Sequence, residues 1–224
     1  MDDKRRQILD QALALVDERG LAAMSMRAVA ERVGLTSMAL YPYVGGKDAL
    51  LDGLVDLLHL ELGTSVGENP ADLDWRHRLC ALGRAVRSLA RAHPSAFPLL
   101  LNRSAAGPSA SWLAAALQGI LADAGVPASE VPRQARLICA FLLGYTTGEV
   151  TGGLPGSSPE MIEGAAEFDA DLEDLVGMVE NSAAPRTSAA PRTSTAPRTS
   201  TAPRTSAASR ASAEQPDDVR RAGG

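Results

Sequence analysis

Aromatic residues, cysteine and histidine are scarce in this sequence: of 224 residues, 4% are aromatic, 2 are cysteine and 3 are histidine. Cys80 and Cys139 lack the C-x-x-C spacing of zinc sites and redox motifs, and both fall in apolar helical patterns. We therefore expect two buried free thiols in a reducing compartment, with a regulatory disulfide as the less favoured alternative. His77 lies three residues before Cys80, but no third or fourth ligand accompanies the pair, so a metal site is not expected.

The sequence also lacks the patterns on which enzymes and membrane proteins depend. It contains no glycine-rich phosphate loop, no G-x-S-x-G motif, no paired acids and no nucleophile beside a base. These absences predict a protein that is not an enzyme and uses no cofactor. No apolar run reaches about 18 residues, and no apolar segment adjoins the charged start Met-Asp-Asp-Lys-Arg-Arg, as it would in a signal peptide. We therefore expect a cytoplasmic protein that does not enter the membrane.

Hydrophobic residues make up 45% of the chain, and they recur at the three- and four-residue spacing of amphipathic helices. In residues 4–19 the apolar stripe consists of Ile8, Ala12, Leu15 and Val16. Gly20 follows this helix and is placed to end it in the left-handed conformation. The same kind of spacing recurs up to about residue 181, so the sequence predicts an all-α fold.

Residues 25–47 form the most informative stretch, because two short helical patterns are separated there by Gly34. Ser25 and Thr36 are each placed to cap the first turn of a helix with a side-chain oxygen, and Gly34 allows the tight turn between them. Pro42 disfavours helical geometry at the residue before it, so we predict that the second helix ends there. This order is typical of the helix-turn-helix, which lays its second helix in the major groove of DNA.

The net charge of −5 is unusual for a DNA-binding protein, so its distribution matters. Lys and Arg number 7 against 9 Asp and Glu in residues 1–60, 8 against 15 in residues 61–181, and 7 against 3 in residues 182–224. The acidic middle repels phosphate, so a DNA contact has to come from a local cluster of cations. The candidates are Lys4, Arg5, Arg6, Arg27 and Lys47. For the first three, a solvated and frayed helix end is an equal alternative, because cations there oppose the helix dipole.

The stretch from residue 4 to residue 60 resembles the N-terminal domain of the tetracycline-repressor (TetR) family of bacterial transcription regulators. The resemblance rests on a helix that ends in Gly20, followed by Met-Arg-Ala-Val-Ala, Val-Gly-Leu, Leu-Tyr-Pro-Tyr-Val and Gly-Lys-Asp-Ala-Leu-Leu. It departs from the family at Pro42, where members more often carry an aromatic or polar residue. The resemblance implies an N-terminal three-helix DNA-binding domain followed by a helical domain for ligand binding and dimerisation.

The resemblance also implies DNA contacts from residues of the helix-turn-helix and of the helix after it: Arg27, Ser37, Met38, Ala39, Tyr41, Tyr43 and Lys47. To these we add Lys4 and Thr36 as candidates. Tyrosine hydroxyls can reach phosphates, and Ser37 can hydrogen-bond a base or a phosphate. Met38 and Ala39 have no donor and can read only shape or a thymine methyl group. Core packing is the alternative for both tyrosines.

We expect the chain to leave regular helical structure from Gly63 to Asp72. Beyond this segment, apolar spacing predicts further helices over residues 75–92, 109–124, 131–150 and 161–179. The last of these carries an apolar seam at Met161, Ala165, Phe168, Leu172, Leu175 and Val179. The helix before it has a bare face at Ala140, Gly144 and Gly148, where another helix can approach closely. The family resemblance implies that both helices pair with their copies in a homodimer, and a partner within the same chain is the alternative.

Three segments follow from these patterns. Residues 1–60 are predicted to form the helix-turn-helix domain, and residues 61–181 the helical effector-binding and dimerisation domain. In residues 182–224 the composition changes, and four hexapeptides of the type Ala-Ala-Pro-Arg-Thr-Ser occupy residues 183–206. A proline in every repeat and the lack of large apolar residues predict a disordered tail. Three roles remain open for this tail: it adds attraction to phosphate, it is a kinase substrate, or the repeat has no role.

A small-molecule site is expected among the helices of the second domain, where residues 93–102 and the helices after them also resemble TetR proteins. The candidate lining residues are His59, Arg103, Trp112, Tyr145 and Glu149. Core packing of Tyr145 and a solvated helix end at Glu149 are the alternatives.

Together the patterns predict a homodimeric repressor that binds a double-stranded, palindromic DNA operator and is released by a small molecule. An architectural or non-specific DNA-binding protein that uses its basic tail is the alternative function.

Overall fold

The computed structural model describes residues 3–66, 73–103, 112–152 and 165–183, and the regular elements within these ranges are all helical, which confirms the predicted all-α fold. The helices are α1 (Asp3–Arg19), α2 (Met26–Arg32), α3 (Ser37–Val44), α4 (Lys47–Val66), α5 (Trp75–Ala92), α6 (Leu99–Asn102), α7 (Trp112–Asp123), α8 (Val131–Thr151) and α9 (Ala165–Ala183), with a 3₁₀ turn at Leu21–Ala23. No helix in these ranges is both long and apolar enough to cross a membrane. The tail predicted from residue 182, with its repeats, lies almost wholly outside the described residues.

Both caps predicted in the helix-turn-helix are formed. The Ser25 hydroxyl accepts a hydrogen bond from the Ala28 N–H at 3.1 Å, and the Thr36 hydroxyl accepts one from the Ala39 N–H at 3.2 Å. Gly34 has a φ of 70°, which glycine adopts without the strain that a side chain would cause. Helices α2 and α3 therefore begin where the sequence predicts, because each has a side-chain acceptor for its first N–H groups.

The predicted end of α3 at Tyr41 is wrong, since the helix continues through Pro42 to Val44. Pro42 withholds one backbone N–H from the helix, but tertiary contacts hold the turn that contains it. Leu40 and Val44 are four residues apart and both are buried in the core. The Gly45 N–H then donates to the Tyr41 carbonyl at 2.9 Å. Burial of this face outweighs the local preference of proline.

Two further helix ends differ from the prediction. Gly20 combines a φ of 78° with a ψ of 163°, so it leads into the 3₁₀ turn and does not adopt the left-handed helical cap. Helix α4 does not loosen at Gly63 but continues to Val66, because Leu62 is buried and Gly63 packs against the ring of Trp112 at 3.4 Å from its ideal Cβ position. Helix α4 therefore runs through residue 60, and the division of the chain at that residue stays a prediction.

Helix α5 lies at the centre of the second half of the chain and packs against α4, α7, α8 and α9. Its buried face contains Leu79, Cys80, Leu82, Gly83, Val86, Arg87, Leu89 and Ala90. An ideal Cβ at Gly83 would overlap a methyl group of Leu172 in α9. A larger residue at this crossing would therefore force the Leu172 side chain to move.

The apolar seam of α9 faces the interior of the same chain. Its described members Phe168, Leu172, Leu175 and Val179 are all buried. A partner within the same chain therefore covers this seam, and the pairing of α8 and α9 with their copies in a homodimer stays a prediction. Met161 lies outside the described residues, and α9 is described from Ala165.

Both cysteines are free thiols, as predicted. Cys80 is buried, whereas Cys139 is only half-buried, contrary to the prediction that both are buried. Burial raises the pKa of both thiols, so neither has the thiolate character of a reactive cysteine.

Candidate nucleic-acid interface

Helix α3 buries one side and exposes the other. Leu40 and Val44 anchor it in the core, whereas Met38 is 78% exposed, Tyr41 48% and Tyr43 38%. Core packing, the alternative considered for the tyrosines, is therefore wrong for both rings. Three large side chains on one face of α3 are thus open to solvent, and this face is free to meet another molecule.

The first turn of α3 has few hydrogen-bond donors directed outward. The Thr36 hydroxyl is engaged as the cap, and Ser37 and Ala39 are half-buried. Met38 has no donor at all. Of these four residues, Ser37 alone supplies a hydroxyl that the cap does not use.

Arg27 projects from α2 into solvent. Its side chain is 85% exposed, and its Nε donates to Glu31 Oε1 one turn further on at 2.9 Å. Exposed pairs of this kind are weak, because water competes for both partners and two long side chains have to be held in place. A phosphate can therefore replace Glu31 as the partner of Arg27 without disturbing the fold.

Lys47 is the first residue of α4 and is exposed. The Leu50 N–H donates to the Gly46 carbonyl at 3.0 Å, which makes it the first bond of this helix, and the N–H groups before it lie at the helix N-terminus. A lysine and N-terminal N–H groups at one point are suited to a phosphate oxygen.

Lys4 lies near the start of α1, where its Nζ donates to Gln7 Oε1 at 3.1 Å. The neighbouring Arg6 pairs with Asp10 at 2.8 Å. Both pairs join residues on neighbouring turns of α1. A phosphate contact from Lys4 stays a prediction.

Arg32 was not singled out from the sequence, yet it fixes the helix-turn-helix against α1. Its guanidinium pairs with the Glu18 carboxylate, and its Nε donates to Gln11 Oε1 at 3.0 Å. Arg32 ends α2, so this contact sets the position of the turn that follows it. No spacing rule predicts a partner 14 or 21 residues away, and the contact had to be seen in the structure.

Two of the five residues proposed to line a ligand site belong to one buried network. The side chains of Glu149 and Arg87 are 6% and 8% exposed, and Arg87 donates to Glu149 through Nε and Nη2, at 2.8 Å each. Arg91 adds a bond to Glu149 at 2.6 Å. The Arg87 guanidinium also lies 4.9 Å from the ring centroid of Phe168, which is 5.3 Å from that of Tyr145. Glu149 is therefore not the solvated helix end considered as its alternative.

The charge state of Glu149 follows from this network. Burial opposes its ionisation, but the hydrogen bonds from Arg87 and Arg91 outweigh burial and hold the pKa of Glu149 below its ordinary value of 4.5. Burial and the surrounding acidic groups raise the pKa of Tyr145, so its hydroxyl stays protonated. The network thus offers an ionised carboxylate, a guanidinium and aromatic rings side by side.

The other three candidates have separate partners. His59 is buried, with Nδ1 2.9 Å from the Val55 carbonyl oxygen. Arg103 follows α6 and donates to Asp52 Oδ1 of α4 at 2.9 Å. Trp112 packs beside Gly63. The structure thus brings Tyr145 and Glu149 into one network and gives His59, Arg103 and Trp112 contacts of their own.

Helix α8 keeps part of its small-residue face open. Ala140 is exposed, and an ideal Cβ at Gly144 meets no atom within 4 Å. Leu137, on the same side of the helix one turn earlier, is 52% exposed. On α9, Met178 is 40% exposed beside Gly177, whose Cβ position is also open. These positions, rather than the buried seam of α9, are available to a second copy.

Comparison with known proteins agrees with this arrangement. The family model described as bacterial regulatory proteins, tetR family, matches residues 8–54, and the model described as tetracyclin repressor-like, C-terminal domain, matches residues 79–175. The transcriptional repressor DrrR1 of Streptomyces coeruleorubidus is 38% identical over 107 residues, which cover 46% of this chain and 38% of that repressor. The chain thus matches well under half the length of this relative.

Solved structures share the fold. The TetR family protein ActR of Streptomyces coelicolor in complex with (S)-DNPA has a TM-score of 0.64 at 21% identity over 80% of this chain and 98% of its own. BioQ with its double-stranded DNA operator has a TM-score of 0.64 at 23% identity over 79% and 98%. Of the two family models, the one that matches residues 8–54 covers the helix-turn-helix, and the one that matches residues 79–175 covers the region from α5 into α9. With both matched in this order, the chain belongs to the TetR family of bacterial regulatory proteins.

Proposed function

We propose that this protein is a homodimeric transcriptional repressor that binds a palindromic DNA operator through α3 and leaves it when a small molecule binds the second domain. The observation that carries the proposal is the exposed side of α3. Buried Leu40 and Val44 hold this helix in the core, and the exposed cations Arg27 and Lys47 precede and follow it in the sequence. The similarity of the chain to the repressor DrrR1 supports repression rather than activation. A dimer is part of the proposal because a single short helix reads too few bases for useful affinity.

Arg27 and Lys47 supply much of the affinity in this proposal, because the first turn of α3 offers few donors to base edges. Specificity then depends on groove shape and on the spacing of two half-sites. The candidate contacts are Lys4, Arg27, Thr36, Ser37, Met38, Ala39, Tyr41, Tyr43 and Lys47. Thr36 contributes through the cap that positions the helix.

The test uses a duplex selected from a random library by the full chain. Arg27→Ala and Lys47→Ala should each weaken binding about tenfold or more and reduce the slope of log affinity against log salt by about one for each phosphate that is no longer bound. Arg84→Ala is the matched control, because Arg84 is an exposed arginine of α5 that pairs with Asp169. Unchanged binding in both variants, or a selected site without two-fold symmetry, would contradict the proposal.

The effector site is proposed near Tyr145 and Glu149, with His59, Arg103 and Trp112 as further candidates. The neighbouring aromatic rings and charged groups support it, and ActR, which shares the fold, has been solved with (S)-DNPA bound. A compound library is screened for release of the selected duplex. For a compound that releases it, Tyr145→Ala should abolish release and leave binding of the duplex unchanged. Release that survives this change in full would place the site elsewhere.

Non-specific binding through the basic tail is the second candidate function, since residues 182–224 carry 7 Lys and Arg against 3 Asp and Glu. The described residues lie within a compact unit that spans residues 1–185, so a chain shortened by residues 186–224 keeps α9 whole. The shortened chain should still bind the selected duplex with its sequence preference. Loss of all DNA binding would favour the second candidate.

A further inference from the structure

His93 joins three helices at one point. It directly follows α5, and its ring contacts carboxylates of α1 and α4. Its Nδ1 lies 2.8 Å from Asp17 Oδ2, and its Nε2 lies 3.1 Å from Glu61 Oε2. The histidine side chain is 15% exposed. The contact therefore links the helix that supports the helix-turn-helix to the long helix α4 and to the centre of the second half.

The two contacts require a doubly protonated ring. An ionised carboxylate only accepts hydrogen bonds, and only the imidazolium form of histidine has an N–H on both nitrogens. Burial opposes this charge, but the bonds to Asp17 and Glu61 outweigh it and raise the pKa of His93 above 6.5. Asp17 Oδ1 is buried without a hydrogen-bond partner within the ranges that the structure describes. This makes the bond to His93 the more important for that carboxylate.

The charged groups that face the ring are Asp17 from α1 and Glu61 from α4. On the helix before His93, the nearest cation along the chain, Arg91, pairs with Glu149. A neutral ring keeps one N–H and turns a lone pair to the second carboxylate, so loss of the proton replaces one attraction by a repulsion. One of the two contacts that join α1 and α4 through His93 is then lost.

We propose that His93 is a proton-controlled clasp, which when protonated locks α1 against α4 and α5 and thereby makes operator binding stronger at low pH. The inference rests on the proposed function for its effect on DNA. Helix α1 packs against α2 and α3, and α4 begins at Lys47. Fixing α1 on α4 therefore fixes the exposed side of α3 relative to Lys47, and binding to DNA loses less conformational freedom.

The clasp is tested with the full chain and the selected duplex, at constant ionic strength, between pH 5.5 and pH 8.5. Wild-type affinity should fall roughly fivefold or more as pH rises through the pKa of His93. His93→Gln should flatten this dependence. His77→Gln is the matched control, because His77 lies on α5 and is exposed, and its profile should follow wild type. Equal pH profiles for wild type and His93→Gln would overturn the inference while leaving the proposed function intact.

Two measurements decide the clasp even if His93→Gln folds poorly or no duplex is bound. The ring C–H resonances of the wild-type chain should give a titration midpoint for His93 above the ordinary value of 6.5, and a midpoint at or below that value would overturn the clasp. The stabilising effect of His93 over Gln should be complete below about pH 6.5 and disappear as pH rises through the folded-state pKa. Failure to bind any duplex would instead overturn the proposed function, and with it the effect on DNA.

Discussion

At the scale of single residues, buried charge is concentrated at Glu149 and Arg87. Exposed pairs such as Arg84 with Asp169, whose side chains are 55% and 46% exposed, contribute little because water screens them. The Glu149 carboxylate is different, since its two arginine partners replace the water that it has lost. Removal of the Glu149 charge takes away the carboxylate to which the buried Arg87 donates two hydrogen bonds, and breaking a buried ion pair in this way is costly.

Glu149→Gln should therefore lower the free energy of unfolding by about 3 kcal/mol, because Arg87 then stays buried beside a neutral amide. Urea unfolding at pH 7 measures the loss. Asp169→Asn serves as the control and should change stability by less than about 0.5 kcal/mol.

The pH dependence of the stability of Glu149→Gln gives a second test of the ion pair. Because the pKa of Glu149 is held below 4.5, its contribution is present above that pH and is lost as pH falls through the folded-state pKa. The difference between wild type and Glu149→Gln should shrink in acid, and a difference that stays constant down to pH 2 would contradict this origin.

Residue types predict some of these features and not others. Ser25 and Thr36 were identifiable as caps because a cap depends on the two or three residues beside it. The partners of Arg32 and His93 lie 14 to 76 residues away along the chain. Such contacts are decided by the packing of whole helices, so no local pattern could have predicted them.

At the scale of elements, α3 is a helix that tertiary contacts hold together against its own sequence. Pro42 lies inside it and removes one hydrogen bond. The burial of Leu40 and Val44 compensates. The predicted end at Tyr41 followed the local preference of proline alone, and it was wrong because that preference is smaller than the benefit of filling the core.

Pro42→Ala should raise the free energy of unfolding by about 1 to 2 kcal/mol. Alanine restores the N–H and avoids the clash with the preceding turn, a gain of up to about 3 kcal/mol, part of which is offset because proline restricts the unfolded chain. Chemical denaturation checks the change, and Pro132→Ala is the control. Pro132 lies in the first turn of α8, where proline is tolerated, so that variant should be near neutral. A loss of stability in Pro42→Ala would show that the proline is needed where it stands.

The apolar seam of α9 shows another limit of sequence patterns. Its spacing predicted a buried face correctly, because periodicity reports which side of a helix avoids water. It could not say whether α5 of the same chain or a second copy would cover that face. The packing answers this question, since the Leu172 side chain of α9 fills the space beside Gly83 of α5.

At the scale of the whole molecule, the proposed homodimer can be tested at two glycines with opposite surroundings. Gly144 has open space at its Cβ position, whereas the Cβ position of Gly83 is occupied by Leu172. Gly144→Leu should therefore leave the chain folded but hold a partner helix away, so light scattering should show a monomer, whereas the proposal expects a dimer for wild type. Helical content should be unchanged.

The matched variant Gly83→Val should behave in the opposite way. Overpacking against Leu172 should lower the free energy of unfolding by about 2 kcal/mol, without acting on the dimer contact itself. A Gly144→Leu protein that remains fully dimeric would place the contact on another face.

Helix α4 has a mechanical consequence that follows from its length. Lys47 and Glu61 are 14 positions apart on this one helix, a separation of about 21 Å at about 1.5 Å per residue. If the helix pivots about Glu61 by about 5°, Lys47 is displaced by about 2 Å, which is enough to break a hydrogen bond of ordinary length. A rotation of this size would move the far end of α4, beyond Glu61, by less than about 1 Å, so a small adjustment there would be magnified at Lys47, the proposed phosphate contact.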